Sequence, residues 1–246
     1  MINIKLVIAY SGAAYAGWQK TKHARTIEAT LEQVLTTILQ HEVKLQAASR
    51  TDAGVHAEGQ VVNFFLQGPR DLNRLQFSLN CLLPKDIAVI SVEEMPLDFH
   101  PTLRAQKKEY WYHICNSSAQ LPFERSTSWH FPYPLDINAM AQASHHLLGK
   151  HDFSAFCNER TLWDRSPICH LENMEITPLP HQRLRIAMTA DHFLFRMARN
   201  LAGTLAYVGC GKLAADAIPA ILAAKDRTQA GITPPAHGLT LKRVFY

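Results

Sequence analysis

Hydrophobic residues follow two periods along the first half of the chain. Ile2, Ile4, Leu6 and Ile8 alternate with other residues, which is typical of a strand with one buried face. Over residues 26–41, apolar side chains recur at helical spacing behind Thr26, which is predicted to cap the helix. The same pattern recurs over 72–82 behind a second predicted cap, Asp71. Strands are predicted at 43–48, 60–66 and 87–92. The predicted order is therefore βαββαβ, the split ferredoxin-like motif.

The second half repeats this order. Strands are predicted at 108–115, 171–176, 183–188 and 239–245, and helices at 136–148, ended by Gly149, and at 195–208, with a short helix inserted at 216–224. We therefore predict an α/β (α+β) chain with an N-terminal half, 1–104, and a C-terminal half, 105–246. A cleft where two such halves meet would be a natural place for a site, although the topology alone fits many functions.

Composition and charge suit a folded protein with an acidic partner. The 246 residues are 47% hydrophobic, and 25 Lys plus Arg against 21 Asp plus Glu give a formal charge of +4. Basic residues gather in both halves, at Arg104/Lys107/Lys108, Arg160/Arg165, Arg183/Arg185/Arg196/Arg199 and Lys242/Arg243. One such cluster is typical of a solvated face, but their spread favours a large polyanion as the partner.

The cysteines and histidines indicate neither disulfides nor a metal. The five cysteines are an odd number without CxxC spacing, which argues against a disulfide scaffold and a zinc ribbon. His145 and His146 are adjacent on a predicted helix and point in different directions, and no third ligand is at suitable spacing. No export signal or membrane span is evident. We therefore expect a reduced, cytoplasmic protein without a metal or a membrane segment.

The segment 48–60 concentrates chemistry between two predicted strands, because it combines Arg50, Asp52, His56 and Glu58 with two glycines. On one interpretation, Asp52-Ala53-Gly54 forms a turn and Arg50 is a surface charge. On another, an ionised carboxylate in a cleft acts as a nucleophile or a base. A lone loop histidine such as His56 is more often a hydrogen-bonding or packing residue than a proton carrier.

This loop, Arg50-Thr51-Asp52-Ala53-Gly54-Val55-His56-Ala57, resembles the catalytic loop of the TruA family of tRNA pseudouridine synthases. The resemblance runs along nearly the whole chain and in the family's order. It includes Tyr15-Ala16-Gly17-Trp18-Gln19, Lys108-Glu109-Tyr110-Trp111-Tyr112, His151-Asp152-Phe153, Arg199-Asn200-Leu201-Ala202-Gly203 and Ala230-Gly231-Ile232-Thr233-Pro234-Pro235-Ala236.

The resemblance implies the pseudouridine synthase fold, with two βαββαβ halves around a largely antiparallel sheet and a central cleft. It implies isomerisation of uridine to pseudouridine at positions 38, 39 and 40 of the tRNA anticodon stem-loop, without a cofactor, by a homodimer. Asp52 corresponds to the family's nucleophile, Tyr110 to its substrate-stacking tyrosine, and Arg50 and Arg199 to its paired arginines. The attacked atom, uracil C6 or ribose C1′, stays open.

Two departures from the family pattern remove positive charge. Thr102 and Cys169 stand where the family commonly has arginine, and Arg104 could offset the first change.

Two other functions compete with that of a tRNA-modifying enzyme. A catalytically idle RNA-binding module would not need Asp52, and an enzyme for a small nucleoside or sugar would not need basic clusters in both halves.

Overall fold

The computed structural model describes residues 1–158 and 166–246, so Arg160 and Arg165 of the predicted basic clusters lie outside it. The chain forms two compact units, Met1–Gln106 with Thr240–Tyr246, and Lys107–Leu239. The last predicted strand, 239–245, belongs to the predicted C-terminal half, 105–246. Its residues from Thr240 onward cluster with the first unit instead, because they pair with a strand of that unit.

The first unit follows the predicted βαββαβ order. Its elements are β1 (Ile2–Tyr10), α1 (Ile27–Leu39), β2 (Gln46–Ala47), β3 (His56–Leu66), α2 (Leu72–Leu82) and β4 (Ile87–Met95). The antiparallel strands lie in the order β4-β1-β3, and β2 also pairs antiparallel with β3. The last strand, β10 (Leu239–Phe245), lies parallel to β3, with Thr240 opposite His56.

The capping predictions are confirmed in this unit. The Thr26 side chain accepts a hydrogen bond from the Ala29 amide at 3.4 Å, and Asp71 accepts one from the Arg74 amide at 3.0 Å. The predicted strand over 43–48 is wrong in length, because the Leu45 amide donates to Glu32 of α1 at 3.1 Å instead of to a neighbouring strand.

The second unit contains more strands than the sequence predicted. Its elements are β5 (Lys107–Cys115), β6 (Trp129–His130), α3 (Ile137–His145), β7 (Gly149–Asp152), β8 (Ile168–Leu179), β9 (Arg183–Ala190), α4 (Met197–Gly209) and α5 (Ile218–Ala224). The strands β5-β9-β8-β7 pair antiparallel in that order, and β6 lies parallel to β5. Helices α3 and α4 pack against each other.

Two helix boundaries show where the prediction and the structure differ most. The helix predicted to reach residue 148 ends at His145, and Gly149, with φ +98°, begins the additional strand β7. The helix predicted from 195 begins at Met197, because Arg196 adopts a φ of 61°.

Both units combine helices with mainly antiparallel strands, so the predicted mixed α/β fold class is confirmed. Within residues 1–158 and 166–246, no helix combines the length and apolarity that a membrane crossing requires.

Candidate active site

A buried glutamine anchors the start of the loop that carries Asp52. Gln60 of β3 is 0% exposed, and its side chain accepts a hydrogen bond from the Ser49 amide at 3.2 Å and donates one to the Ser49 carbonyl at 2.6 Å. The Ala48 amide donates to the Val61 carbonyl at 2.8 Å. The loop therefore leaves the sheet in a defined direction. Reasoning from the sequence did not identify Gln60.

The backbone on both sides of Asp52 is also tied down. The Thr51 carbonyl accepts from the Trp18 amide at 3.0 Å, and the Thr51 hydroxyl lies 2.8 Å from the Tyr10 hydroxyl in the interior. The Val55 amide donates to the Asp52 carbonyl at 3.1 Å and closes a turn. The Asp52 side chain itself is half-buried. The loop thus holds a partly accessible carboxylate on a fixed backbone.

Two glycines let the segment after β1 pack directly on this loop. Gly17 has φ +92°, and a Cβ placed on it would lie 2.8 Å from the Thr51 carbonyl oxygen and 3.0 Å from the Ala53 amide nitrogen. A Cβ on Gly12 would lie 2.0 Å from the Val55 carbonyl oxygen. Only glycine fits such approaches. Periodicity and spacing did not indicate this role, although Gly17 belongs to the Tyr15-to-Gln19 motif.

His56 and Arg50 occupy different environments. The His56 side chain is buried, and its Nδ1 accepts a hydrogen bond from the Gly12 amide at 3.2 Å. It therefore fastens the same segment to the loop, as expected for a hydrogen-bonding histidine. Arg50 is exposed, and among the described parts of the chain its guanidinium forms no hydrogen bond or ion pair.

Tyr110 lies on β5 of the second unit, opposite Met188 of β9. The residue is 6% exposed, and its ring meets Phe193 edge to face, with centroids 4.9 Å apart. Two positions along the strand, Tyr112 is fully buried and donates its hydroxyl to the Pro235 carbonyl at 2.8 Å. Burial raises the pKa of Tyr112, against the opposing effect of the nearby Arg199 guanidinium.

Arg199 lies on α4, with its side chain half-buried. Its Nε and Nη2 both donate to the Pro234 carbonyl, at 3.0 and 2.9 Å. One turn further along α4, the small residue Gly203 leaves no room for a long side chain to extend past it, because a Cβ there would lie 1.9 Å from the Ile232 carbonyl oxygen. The space is filled by the loop that Arg199 holds.

A polar network fastens the other side of that loop to α4. The Arg227 guanidinium donates to the Gly231 carbonyl at 2.8 Å and to Asn200 at 2.9 Å. The Thr204 hydroxyl accepts from the Gly231 amide at 2.9 Å. Asn200 and Thr204 are fully buried on α4. The segment ending in Pro234 is therefore a rigid partner for Arg199, which fixes the position of its guanidinium.

The two departures from the family pattern have local partners. The Thr102 hydroxyl donates to the Ala47 carbonyl of β2 at 2.7 Å, and Arg104 forms an ion pair with Asp98. Cys169 is fully buried, and burial raises the pKa of its thiol to about 12, with a further contribution from nearby Asp191.

Several residues of the basic clusters have acidic partners. Lys107 pairs with Glu172 at 2.9 Å, and ion pairs also join Arg183 to Glu124 and Lys242 to Glu58. These carboxylates neutralise part of the positive charge that the basic clusters would otherwise offer to a polyanion. Among the predicted site residues, Asp52 and Arg50 belong to the first unit, and Tyr110 and Arg199 belong to the second.

Comparisons with known proteins identify the class of protein. A family model described as tRNA pseudouridine synthase matches residues 6–102 and 143–246. The chain is 50% identical over 248 residues to tRNA pseudouridine synthase A 2 of Protochlamydia amoebophila, covering 100% of this chain and 95% of that protein. It is 39% identical over 254 residues to tRNA pseudouridine synthase A of Thermoanaerobacter sp. and 41% identical over 246 residues to that of Geotalea daltonii, with full coverage of both chains in each case.

The chain therefore belongs to the tRNA pseudouridine synthase family, a family of isomerases. The relatives above all carry the name tRNA pseudouridine synthase A, which confirms the resemblance found in the loop around Asp52.

Proposed function

We propose that this protein isomerises uridine to pseudouridine at positions 38, 39 and 40 of the tRNA anticodon stem-loop, with Asp52 as the nucleophile. The observation that carries the proposal is the tethering of Asp52. The Trp18 amide donates to the carbonyl of Thr51, and the Val55 amide donates to the carbonyl of Asp52. A partly accessible carboxylate is therefore held on a fixed backbone. Preorganisation of this kind is what nucleophilic catalysis requires.

The chemistry of the reaction suits a nucleophilic carboxylate such as that of Asp52. The C–N glycosidic bond breaks, the uracil turns, and C5 joins the ribose, while the atoms of the nucleotide are conserved. The reaction consumes no redox equivalent and no group donor. The Asp52 carboxylate holds the reacting nucleotide during this rearrangement by attacking uracil C6 or ribose C1′.

Tyr110 supports the flipped base. A uridine in a stem reaches a carboxylate only after it leaves the helix, which costs a few kcal/mol. Stacking on an aromatic ring returns about 1–3 kcal/mol. The ring of Tyr110 is held from the side by Phe193, with centroids 4.9 Å apart. After C5 has joined the ribose, its hydrogen leaves as a proton, and the Tyr110 hydroxyl relays it.

The two arginines have separate tasks. Arg199 is a positioning residue. Its Nε and Nη2 donate hydrogen bonds to the Pro234 carbonyl, so its positive charge is held in a fixed position beside α4. Arg50 is exposed and, among the described residues, carries no ion pair, so it is available to bound RNA. It either contacts a phosphate or fills the gap that the flipped base leaves.

The assembly and the compartment follow from charge and cysteine chemistry. A formal charge of +4 is small for gripping a molecule as large as tRNA, so we propose a homodimer that pools two basic surfaces. All five cysteines are free thiols. Free thiols are typical of the reducing cytoplasm, where we propose that the protein acts.

The proposal is tested with an unmodified tRNA transcript and three proteins: wild type, Asp52→Asn and Asp71→Asn. The last makes the same chemical change at the cap of α2, where asparagine caps as well as aspartate. Pseudouridine is mapped by position, and tRNA binding and thermal unfolding are measured in parallel. We expect wild type and Asp71→Asn to modify positions 38–40. Asp52→Asn should form no pseudouridine but bind tRNA within about threefold of wild type, a change below 1 kcal/mol.

Each contrary result has a distinct meaning. Near-normal turnover by Asp52→Asn would refute the nucleophile, and a collapse of its unfolding temperature would make Asp52 a structural turn residue. Wild-type protein that binds tRNA without modifying it would be an idle RNA-binding module. Conversion of free uridine as fast as tRNA would indicate an enzyme for a small nucleoside.

A further inference from the structure

A thiol, an imidazole and a carboxylate meet in the second unit, outside the residues to which the proposed function assigns a role. Cys169 lies near the start of β8, and Asp191 and His192 directly follow β9, the strand paired with β8. Ligand atoms from the three residues all lie within 4.8 Å of one another. The Cys169 Sγ and the His192 Nε2 are 3.3 Å apart, although the residues are 23 positions apart in the sequence.

We propose that Cys169 and His192 bind a divalent transition metal ion of the zinc type, with the Ser166 carbonyl as a third ligand. Tetrahedral zinc takes sulfur at about 2.3 Å and imidazole nitrogen at about 2.0–2.1 Å, which places these two atoms about 3.6 Å apart. The observed 3.3 Å needs only a slight widening. A site made of thiolate and imidazole also binds zinc in preference to magnesium or calcium.

The arrangement around His192 Nε2 supports an ion at this point. The Nδ1 atom of His192 lies 2.9 Å from the Asp191 carboxylate, which leaves Nε2 as the ring nitrogen available to an ion. Nε2 lies 3.3 Å from the Ser166 carbonyl oxygen and 3.3 Å from the Cys169 Sγ. These three atoms form hydrogen bonds in the metal-free protein, and a cation bound between them would replace those bonds by coordination.

Asp191 prepares the imidazole for this role without touching the ion. Its Oδ1 accepts hydrogen bonds from the His170 amide at 3.0 Å and the His192 amide at 2.6 Å, in addition to the Nδ1 contact. A carboxylate that orients a ligating histidine in this way is the usual outer-shell partner in metal sites. Metal entry is possible from the side of His192, whose side chain is 26% exposed, whereas Cys169 is fully buried.

Binding is balanced in atoms and charge. The metal ion takes the place of the thiol proton on Cys169, and that proton leaves to the solvent. The His192 ring stays neutral and binds through Nε2, and a water completes the coordination. The bound ion would link the first residues of β8 to the segment after β9.

The test uses the full-length protein, first treated with a chelator and then titrated with Co²⁺ as a spectroscopic probe. We expect a thiolate-to-cobalt absorption band that saturates at one ion per chain and disappears when Zn²⁺ is added. At a free Zn²⁺ concentration of 100 Kd, the unfolding midpoint should rise by about 5–11 °C. Cys169→Ser should abolish the band, whereas Cys81→Ser, a matched change at an exposed cysteine of the first unit, should leave it unchanged.

Further variants keep the proposal falsifiable if Cys169→Ser does not fold. His192→Gln changes a partly exposed side chain and should lose the band, and Asp191→Asn should weaken binding about 10- to 100-fold without abolishing it. No cobalt band, or a band that survives both Cys169→Ser and His192→Gln, would overturn the proposal. In that event the contact is a hydrogen bond between a thiol and an imidazole or imidazolium.

Discussion

Replacing Gly17 by alanine tests whether the loop around Asp52 is held in one position by the segment packed against it. Gly17 has φ +92°, and an added Cβ would meet the Thr51 carbonyl oxygen at 2.8 Å and the Ala53 amide nitrogen at 3.0 Å. Both atoms belong to the backbone on either side of Asp52. Neither can move away unless the loop itself moves.

The size of the effect follows from two contributions. A positive φ costs an alanine about 1–2 kcal/mol. Crowding against atoms that cannot relax cheaply costs about 1–3 kcal/mol more. Gly68 provides the matched control, because it lies in the same unit with φ +74° and an added Cβ there meets nothing within 4 Å. Gly68→Ala should therefore show the first cost alone, so the two variants should differ by the crowding cost.

The assay compares thermal unfolding and the rate of pseudouridine formation in both variants. A difference of about 1–3 kcal/mol corresponds to unfolding midpoints about 2–12 °C apart. At a temperature where both variants are folded, displacement of Asp52 should make pseudouridine formation by Gly17→Ala about 100-fold slower than in wild type. Gly68→Ala should modify tRNA at nearly the wild-type rate. Equal midpoints and equal rates in the two variants would refute the packing argument. A stability difference without a rate difference would refute only the role of Asp52.

Three further predictions concern single side chains. Tyr110→Phe should bind tRNA within about threefold of wild type but turn over far more slowly, and Tyr110→Ala should lose both tRNA binding and turnover. Full turnover by the phenylalanine variant would show that Tyr110 only stacks on the base. Arg199→Ala should reduce the isomerisation rate more than tRNA affinity, and a loss confined to affinity would make Arg199 a phosphate contact. Burial raises the pKa of Asp152, but hydrogen bonds from Lys225 and Ser154 outweigh burial and hold this pKa below its ordinary value. Asp152→Asn should therefore destabilise the protein at pH 7 by about 1–2 kcal/mol. This stabilisation is complete above the unfolded pKa of about 3.9 and is lost as the pH falls through the lower folded pKa, so urea unfolding should show the variant and wild type converging in acid; a difference independent of pH would contradict the assignment.

Features that depend on nearby residues were predictable from the sequence. Thr26 and Asp71 cap helices whose first amides lie three residues away, and the alternation from Ile2 to Ile8 marks a strand whose inward side chains are buried. The loop around Asp52 was also recognisable, because its residues are contiguous. Caps, turns and one-sided burial are set by short-range geometry, which a sequence displays directly.

Features that depend on distant partners were not predictable. The strand β7 forms by pairing with β8, where His151 lies opposite Cys169, and the four residues Gly149–Asp152 do not by themselves indicate that partner. Leu82 occupies the apolar stripe predicted for α2, yet it is 54% exposed, because the stripe is buried only where another element covers it.

The sequence by itself determined the kinds of residue present and the order of the longer helices and strands. Tertiary structure alone decided which of those residues meet. It brings Gly12 and Gly17 against the loop of Asp52, and it brings Cys169 beside His192 across 23 positions. The physical reason is strand pairing and close packing, which join segments according to the surfaces they bury, irrespective of their separation along the chain.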